Sequence, residues 1–202
     1  MTRWYSERKN EYFYKEAKRD GYRSRSAFKL KQIQKKFRIL KEGNIVIDLG
    51  AAPGGWSQVA KEIVGEKGTV LGIDLSPIQP IKGITFLQGD MTKESSLKEL
   101  IYLMEEKKAD AVLSDMSPNI SGNYSVDHAR SIFLCEQALI TASTFLRVGG
   151  NFLCKVFDGE ELPNFIYEIK NRFITVKKFN PPASRKSSSE IYIIAKSFKN
   201  SK

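Results

Sequence analysis

From residue 44 onwards, short apolar runs alternate with longer amphipathic stretches, which is the pattern of an α/β fold. The first run, residues 45–47, is continuous and β-branched, as is typical of a strand buried on both faces of a sheet. Further strands are predicted at residues 69–73, 84–87, 109–114, 151–157, 173–179 and 190–197. The pattern therefore predicts a seven-stranded sheet.

The amphipathic stretches between these runs predict the helices. The link between the last two strands, residues 180–189, is too short and polar for a crossover helix, so the last strand should run antiparallel to its neighbour. We expect a Rossmann-like, doubly wound α/β fold, with a mostly parallel sheet, an antiparallel last strand and helices on both faces. Helices are predicted at residues 56–64, 93–107, 127–147 and 160–172, the third of them ended by Gly149-Gly150.

A glycine-rich turn, DLGAAPGGW at residues 48–56, follows the first strand. A dinucleotide fingerprint requires glycines at its first, third and sixth positions, but Ala52 occupies the third position here. Asp48 precedes the turn, where its carboxylate would repel a pyrophosphate and attract a cation. The turn therefore favours a cationic ligand such as S-adenosylmethionine (SAM). A strand-to-helix turn that binds no ligand would show the same sequence pattern.

Aspartates stand at the ends of the next strands, at Asp74, Asp90 and Asp115. Because the carboxyl ends of parallel strands meet at one edge of a sheet, these side chains should lie together. Asp74 stands where an acid that binds ribose belongs, and Asp90 suits an amine such as that of adenine. Each alone could equally be a turn or cap residue, but three in register favour an adenosine-containing cation. The predicted cofactor is therefore SAM.

Length and composition restrict the class of protein. The chain has 202 residues and is 41% hydrophobic, which allows one core and excludes a disordered protein. No apolar run reaches the roughly 20 residues of a membrane span, and the first residues lack a signal-peptide segment. Cys135 and Cys154 match no metal-ligand spacing, so we expect thiols and no metal. We therefore expect a monomer in a reducing intracellular compartment, whether cytoplasm, nucleus, nucleolus or mitochondrion, with no membrane partner.

The basic residues are concentrated at the start of the chain. Residues 1–41 carry 14 Lys and Arg against 4 Asp and Glu, whereas residues 42–202 carry 19 of each. We expect one domain, in which residues 1–41 form a basic extension with helices near residues 5–18 and 24–37 and residues 42–202 form the core. This asymmetry predicts RNA as the partner, because phosphate contacts supply sequence-independent affinity. A solvated helical face would have the same composition, but acids in the segment argue against a targeting arm.

Basic side chains in two segments are the candidate RNA contacts. The first segment is the stretch before and within the second helix, and the second is the loop before the last strand. That loop is equally consistent with a flexible polar turn. The candidates are Arg23, Arg25, Lys31, Arg185 and Lys186.

The strand ends also restrict which atom could receive a methyl group. Enzymes that methylate an adenine amine need an Asn/Asp-Pro-Pro-aromatic motif after the fourth strand, where this chain has SDMSP at residues 114–118. Residues 180–182 contain the two prolines but follow the sixth strand. A cytosine-C5 enzyme needs a nucleophilic cysteine, but Cys154 lies inside the fifth strand and points away from Lys155. A ribose hydroxyl fits the sequence better than either base.

A ribose hydroxyl must lose its proton as the methyl group arrives, so the site needs a base and no covalent intermediate. Lys155 stands within an otherwise apolar strand, where an unpaired amine is costly. Burial beside a second lysine, for which Lys29 is the candidate, would favour the neutral amine that can act as a base. Asp115 could orient this amine, and Glu190 could hold Lys29 or the acceptor. The residues alone leave open whether these four side chains converge.

The sequence resembles the FtsJ/RrmJ family of SAM-dependent RNA ribose 2′-O-methyltransferases. The matching stretches span nearly the whole chain in order: YRSRSAFKL (22–30), DLGAAPGGWSQ (48–58), FLQGD (86–90), SDMSPNISG (114–122), KVFDGE (155–160) and SRKSSSEIYIIA (184–195). The resemblance places the family's Lys-Asp-Lys-Glu tetrad on Lys29, Asp115, Lys155 and Glu190, with Lys155 as the proton acceptor. The cofactor contacts predicted with it are Asp48, Gly50, Pro53, Gly54, Gly55, Trp56, Asp74, Leu75, Asp90, Met91 and Asp115.

The form of the glycine turn also bears on the substrate. The GGW sequence and the compact length are most similar to the enzymes of the family that methylate a uridine of large-subunit ribosomal RNA. A tRNA anticodon-loop enzyme is the second substrate class, and a SAM-binding, RNA-binding protein without catalysis is the alternative outside enzymes. The intact tetrad argues against that last alternative. The chain departs from the family in its long aromatic N-terminal helix and in His128, which we expect to be a surface residue and not a catalyst.

Overall fold

The structure is a computed structural model that describes residues 12–185 and 188–199 of the chain. The strands are β1 (Ile45–Leu49), β2 (Thr69–Asp74), β3 (Thr85–Gln88), β4 (Ala109–Ser114), β5 (Leu146–Phe157), β6 (Phe173–Phe179) and β7 (Glu190–Phe198). The helices are α1 (residues 12–19), α2 (Ala27–Phe37), α3 (Gly55–Val64), α4 (Glu94–Leu103), α5 (Tyr124–Phe145) and α6 (Leu162–Arg172). Among these described helices, none is both long enough and apolar enough to cross a membrane.

The strands form one seven-stranded sheet in the order β3-β2-β1-β4-β5-β7-β6. β7 is antiparallel to both β5 and β6, and the other neighbouring strands are parallel. The predicted Rossmann-like fold with an antiparallel last strand is therefore confirmed. The strand order reverses between β1 and β4, and in open sheets of this kind ligands bind at the carboxyl ends of the strands beside such a reversal.

Helices cover both faces of the sheet, as predicted. Buried residues of α4, α5 and α6 pack on one face, and buried residues of α1, α2 and α3 pack on the other. α2 presents Ala27, Leu30 and Ile33 to this second core, where all three side chains are fully buried. In the described part of residues 1–41, the basic segment therefore contributes one wall of the core and exposes its polar side.

The junction between α5 and β5 differs from the prediction. α5 ends at Phe145, and Leu146 adopts extended backbone angles, so that β5 follows without a glycine cap. The Gly149-Gly150 pair lies inside β5, where the pairing with β4 jumps from Ala109–Leu146 to Ala111–Asn151. Gly149 has a φ of 80°, which glycine adopts without strain. The glycines therefore form a bulge in the strand and do not end the helix.

Two smaller differences concern the first helices. Residues 5–11 of the predicted N-terminal helix lie outside the described residues, and the described helix runs over residues 12–19. α2 begins at Ala27, within the range predicted for the second helix, and the side chain of Ser26 at its N-cap makes no capping hydrogen bond. Its side chains then face the core at the predicted helical spacing.

Candidate active site

The glycine-rich turn between β1 and α3 brings the backbone close to the end of β4. Gly50 has a φ of 72°, and a Cβ atom there would overlap the side chain of Met116. The amides of Gly50 and Ala51 donate to the Ile73 carbonyl at 2.9 and 3.1 Å, which fixes the turn against β2. Glycine is required at this position because the backbone must approach β4 closely in a conformation that other residues rarely adopt.

A cavity of about 390 Å³ opens beside this turn, at the point where the strand order reverses. Within the described part of the chain, its lining contains no lysine, arginine or histidine. The cavity therefore suits a ligand that is positively charged and carries no phosphate. Six of the predicted cofactor residues line it: Gly50, Asp74, Leu75, Asp90, Met91 and Asp115.

Nearby amides hold two of the aspartates that line this cavity, Asp74 and Asp90. Asp74 accepts hydrogen bonds from the amides of Ala52 at 3.0 Å and Ser76 at 2.8 Å. Asp90 accepts from the amide of Thr92 at 2.9 Å and from its hydroxyl at 2.8 Å, and these bonds lower the pKa of Asp90. The cavity therefore carries an ionised, pre-oriented acceptor for an amine.

Asp48 lies beneath the turn and does not line the cavity. Its carboxyl group is fully buried, with Oδ2 accepting a hydrogen bond from the Ser57 hydroxyl at 2.6 Å and Oδ1 lacking a hydrogen-bond partner among the described residues. Burial first, and then the charges of Asp115 and Asp74, raise the pKa of Asp48 to about 7 against the effect of its hydrogen bond with Ser57. Asp48 is thus a buried group that is partly protonated near neutral pH, and it is not a surface anion that faces the ligand.

The rest of the predicted cofactor residues also lie outside the cavity lining. The Trp56 indole is buried, donates to the Ser26 carbonyl at 2.9 Å and lies 5.8 Å from the ring of Tyr192. A Cβ atom at Gly55 would overlap Ser24, so this glycine allows the residues before α2 to approach the turn. The side chain of Trp56 therefore joins α2 to β7 beneath the site. The cavity lining does not include Pro53, Gly54, Gly55 or Trp56.

The four tetrad residues converge beside the cavity, which the sequence left open. Lys155 donates to the backbone carbonyl of Asp115 at 2.6 Å, and its Nζ lies 3.2 Å from Oδ1 of the same residue. Lys29 Nζ lies 2.5 Å from Glu190 Oε1. The side chains come from α2, the end of β4, β5 and β7, and the residues Lys29, Lys155 and Glu190 are 5%, 6% and 9% exposed. Asp115 also lines the cofactor cavity, so it joins the two parts of the site.

The electrostatics keep Glu190 ionised. Its burial favours the neutral form, but the positive charge of Lys29, the hydrogen bonds to the carboxylate and the charge of Lys155 outweigh that effect and lower the pKa of Glu190. The tetrad therefore contains a carboxylate that holds Lys29 through a buried ion pair at physiological pH.

Tyr192 is a site residue that the sequence analysis missed. Its hydroxyl donates to Asp115 Oδ1 at 2.7 Å, and Lys29 Nζ lies 5.5 Å from the centre of its ring. It pairs with Lys155 across β5 and β7. Burial first, and then the charge of Asp115, raise the pKa of Tyr192 well above its ordinary value, so its hydroxyl remains a donor. The alternation of side chains along β7, which places Tyr192 on the face of Glu190, was the available signal.

Two of the predicted RNA contacts have other partners in the structure. The Arg23 guanidinium donates to the carbonyls of Pro53 at 3.2 Å, Gln79 at 2.5 Å and Pro80 at 2.9 Å. Lys31 donates to the Tyr22 hydroxyl at 2.5 Å and lies 3.8 Å from Glu62. Arg23 therefore fixes the glycine turn, and Lys31 is partly neutralised by a carboxylate. Both side chains therefore have partners within the protein, and their contact with RNA stays a prediction.

The remaining RNA candidates differ in their placement. Arg25 lies near the tetrad, where burial and then the charge of Arg185 lower its pKa. Arg185 is exposed, and Lys186 lies outside the described residues. The two guanidinium groups repel one another beside the tetrad, so a phosphate bound between them would stabilise both charges.

The expectation that His128 lies at the surface was wrong. His128 is only 6% exposed, its Nδ1 lies 3.2 Å from the Phe157 carbonyl, and its Nε2 accepts a hydrogen bond from the amide of Glu161 at 3.1 Å. The start of α5 packs against the end of β5, so this face of the helix is covered. A single histidine in a polar stretch gives no periodic signal of such burial.

Comparisons with known proteins agree with this architecture. The family model for the FtsJ-like methyltransferases matches residues 22–198. The ribosomal RNA large subunit methyltransferase E of Methanosarcina mazei is 52% identical over 190 residues, which are 94% of this chain and 70% of that protein. The protein of the same name from Methanocaldococcus jannaschii is 48% identical over 204 residues, or 99% of this chain and 83% of that protein.

Solved structures show the same relationship. A Plasmodium falciparum protein described as a ribosomal RNA methyltransferase superposes with a TM-score of 0.80 at 31% identity, covering 88% of this chain and 98% of that one. A fibrillarin/Nop5p complex, at 20% identity and a TM-score of 0.58 over 85% of this chain and 83% of that one, shares the fold alone. The chain therefore belongs to the FtsJ-like methyltransferase family and uses SAM as its cofactor, as the sequence predicted.

Proposed function

We propose that this protein methylates the ribose 2′-oxygen of a uridine in large-subunit ribosomal RNA. The names of its relatives support this class of RNA substrate. The observation that carries the reaction type is the buried Lys155 amine, held by two oxygens of Asp115 at the wall of the cofactor cavity. This arrangement supports removal of a proton from a hydroxyl, which is what a ribose acceptor needs.

The residues around the cavity fit SAM. Asp74 is held by two amides in a position that suits ribose hydroxyls, and Asp90 is an anionic acceptor that suits the adenine amine. Among the residues that the structure describes, the lining offers no cationic side chain to repel a sulfonium. When bound, SAM supplies an electrophilic methyl group on its sulfonium sulfur.

The chain's own residues supply the base and its orientation. Two N–H bonds of Lys155 are directed at the two oxygens of Asp115, so in the deprotonated form that the proposed step requires, the lone pair is left for the acceptor. Lys155 takes the 2′-hydroxyl proton as the oxygen gains the methyl group, and the resulting ammonium is stabilised by Asp115. Glu190 holds Lys29 beside them, and Tyr192 fixes the Asp115 carboxylate. Holding both reactants in line supplies most of the remaining acceleration.

RNA binding in this proposal depends on Arg25 and Arg185 at the mouth of the tetrad and on Lys186. The protein acts as a single domain and as a monomer, with the basic segment of residues 1–41 facing the ribosomal RNA. Phosphate contacts of this kind give an affinity that falls steeply with salt.

The experiment that tests the function maps 2′-O-methyl groups in cells that lack the protein. We expect one uridine of the large-subunit ribosomal RNA to lose its 2′-O-methyl group, and purified protein with SAM to restore it. Loss of a methyl group from a tRNA anticodon loop would favour the second substrate class. Unchanged maps of both RNAs would overturn the proposal.

A further inference from the structure

A second cavity, of about 360 Å³, opens at the end of β5 and the beginning of β7. Ile120, Phe157 and Arg185 line it, and they belong to the three stretches that supply Asp115, Lys155 and Glu190 to the tetrad, residues 114–122, 155–160 and 184–195. Nothing in the methyl-transfer chemistry itself uses these three lining residues. A volume of this size falls within the range of small-molecule sites.

This second cavity lies next to the tetrad, on the side away from the cofactor cavity. Phe157 follows Lys155 by two residues on the same face of β5, a step of about 7 Å, and it pairs with Glu190 across β7. The two cavities have no lining residue in common, and Asp115 lines the cofactor cavity. The tetrad therefore separates a cofactor side from an acceptor side.

The wall of the second cavity carries an aromatic ring in a fixed position. The Tyr124 ring lies parallel to the His128 imidazole, with an interplanar angle of 10° and 6.4 Å between centroids, yet the residue is 59% exposed. Its hydroxyl donates to the Asp158 carbonyl at 2.5 Å. One side of the ring thus has a structural partner, and the tyrosine presents a large apolar surface to solvent.

The histidine behind this ring is itself immobilised. Because Nε2 accepts from the Glu161 amide, the hydrogen must be on Nδ1, which donates to the Phe157 carbonyl. A Cβ atom at Gly159 would overlap the imidazole, so only glycine fits against it. Tyr124 is therefore a rigid stacking platform that loses little conformational entropy when a flat partner binds.

We propose that the second cavity binds the base of the acceptor nucleotide, stacked on Tyr124, with Arg185 contacting a neighbouring phosphate. The proposal rests on the proposed function, since the tetrad fixes where the ribose must lie. An exposed aromatic ring beside a basic side chain is the usual means of holding a single-stranded base. Stacking accepts any base, so this site positions the nucleotide, and it leaves the choice of base to other contacts.

The test compares three variants in binding to a transcript of large-subunit ribosomal RNA, with S-adenosylhomocysteine bound to the protein. Tyr124→Ala should weaken binding about tenfold or more, because one stacked base contributes a factor of about 5 to 150. Tyr124→Phe keeps the ring and should stay within about twofold of wild type. Tyr102→Ala is the matched control, since Tyr102 is a tyrosine of α4 with 81% exposure, and it should bind normally.

Three results of the RNA-binding measurement would overturn the proposal: normal binding by Tyr124→Ala, an equal loss in Tyr124→Phe, or an equal loss in Tyr102→Ala. Calorimetric titration with SAM should give the wild-type affinity for every variant, which shows that the fold and cofactor side are intact. Weakened SAM binding by Tyr124→Ala also counts against the proposal. Because RNA binding is measured without turnover, it does not depend on which atom receives the methyl group, so the mapping experiment can fail independently.

Discussion

The cofactor side and the acceptor side of the sheet edge are built in different ways. Asp74 and Asp90 each accept a bond from an amide two residues further along the chain, at Ser76 and Thr92, and Asp74 also accepts one from Ala52 of the glycine turn. The tetrad instead pairs Lys155 with Asp115 and joins Lys29 of α2 to the first residue of β7. The first group needs only a correct strand end and turn, whereas the second needs the whole sheet. A substitution on one side should therefore leave the other side intact.

The largest expected effect separates chemistry from cofactor binding. Lys155→Ala removes the proton acceptor, so kcat should fall by a factor of about 10² to 10⁴, while calorimetry shows SAM binding within about twofold of wild type. Lys98→Ala, which removes a 72%-exposed lysine side chain on α4, is the control and should turn over normally. Turnover of the Lys155 variant near the wild-type rate would contradict the assignment of the base.

Asp74→Ala tests the cofactor side. The change leaves the amides of Ala52 and Ser76 without their carboxylate, and it removes a charged acceptor from the cavity. The Kd for SAM should rise by a factor of about 10 to 100, in line with hydrogen bonds to charged groups, while kcat at saturating SAM changes little. A fall in kcat with an unchanged Kd would show that the two sides are not separable in this way.

Arg23 contacts the glycine turn and the loop after β2, and its variant decides between two roles. Because its guanidinium joins three carbonyls around the glycine turn, Arg23→Ala should raise the Kd for SAM by a factor of about 5. The slope of log Kd for RNA against log salt should stay as in wild type. Arg25→Ala is the matched comparison, and it should lower that slope by about 1. An unchanged Kd for SAM together with a lower salt slope for Arg23→Ala would instead identify Arg23 as an RNA contact.

The last effect is on stability and concerns Asp48, beneath the glycine turn. Its pKa of about 7 in the folded protein exceeds the ordinary value, so the folded state binds the proton more tightly than the unfolded state does. The contribution of Asp48 to stability must therefore fall as pH rises from about 4 to about 7, by up to about 4 kcal/mol, and stay level above that range.

Asp48→Asn cannot ionise, and its oxygen can still accept the bond from Ser57. Urea unfolding of both proteins between pH 4 and pH 8 measures the difference in their free energies of unfolding. We expect the wild type to lose stability relative to Asp48→Asn as pH rises. A constant difference across this range would mean that Asp48 titrates equally in both states.

Much of the fold and of the cofactor side follows from local pattern. β4 and β6 begin and end where alternation and apolar runs placed them, and Asp74, Asp90 and Asp115 stand at the predicted edge. The bulge at Gly149 escaped prediction because glycines mark helix ends and strand bulges alike. Periodicity reports which face of an element is buried, and it does not report what lies against that face.

The sequence by itself determined the succession of strands and helices along the chain, the acids at the strand ends and the lysine within β5. Tertiary structure alone decided that Tyr192 fixes Asp115, that Arg23 joins the glycine turn, and that His128 is buried behind Tyr124. These contacts join residues from different elements, and their geometry depends on how the strands are ordered and the helices packed. Local side-chain patterns fix each element, but only the assembled sheet fixes which elements meet.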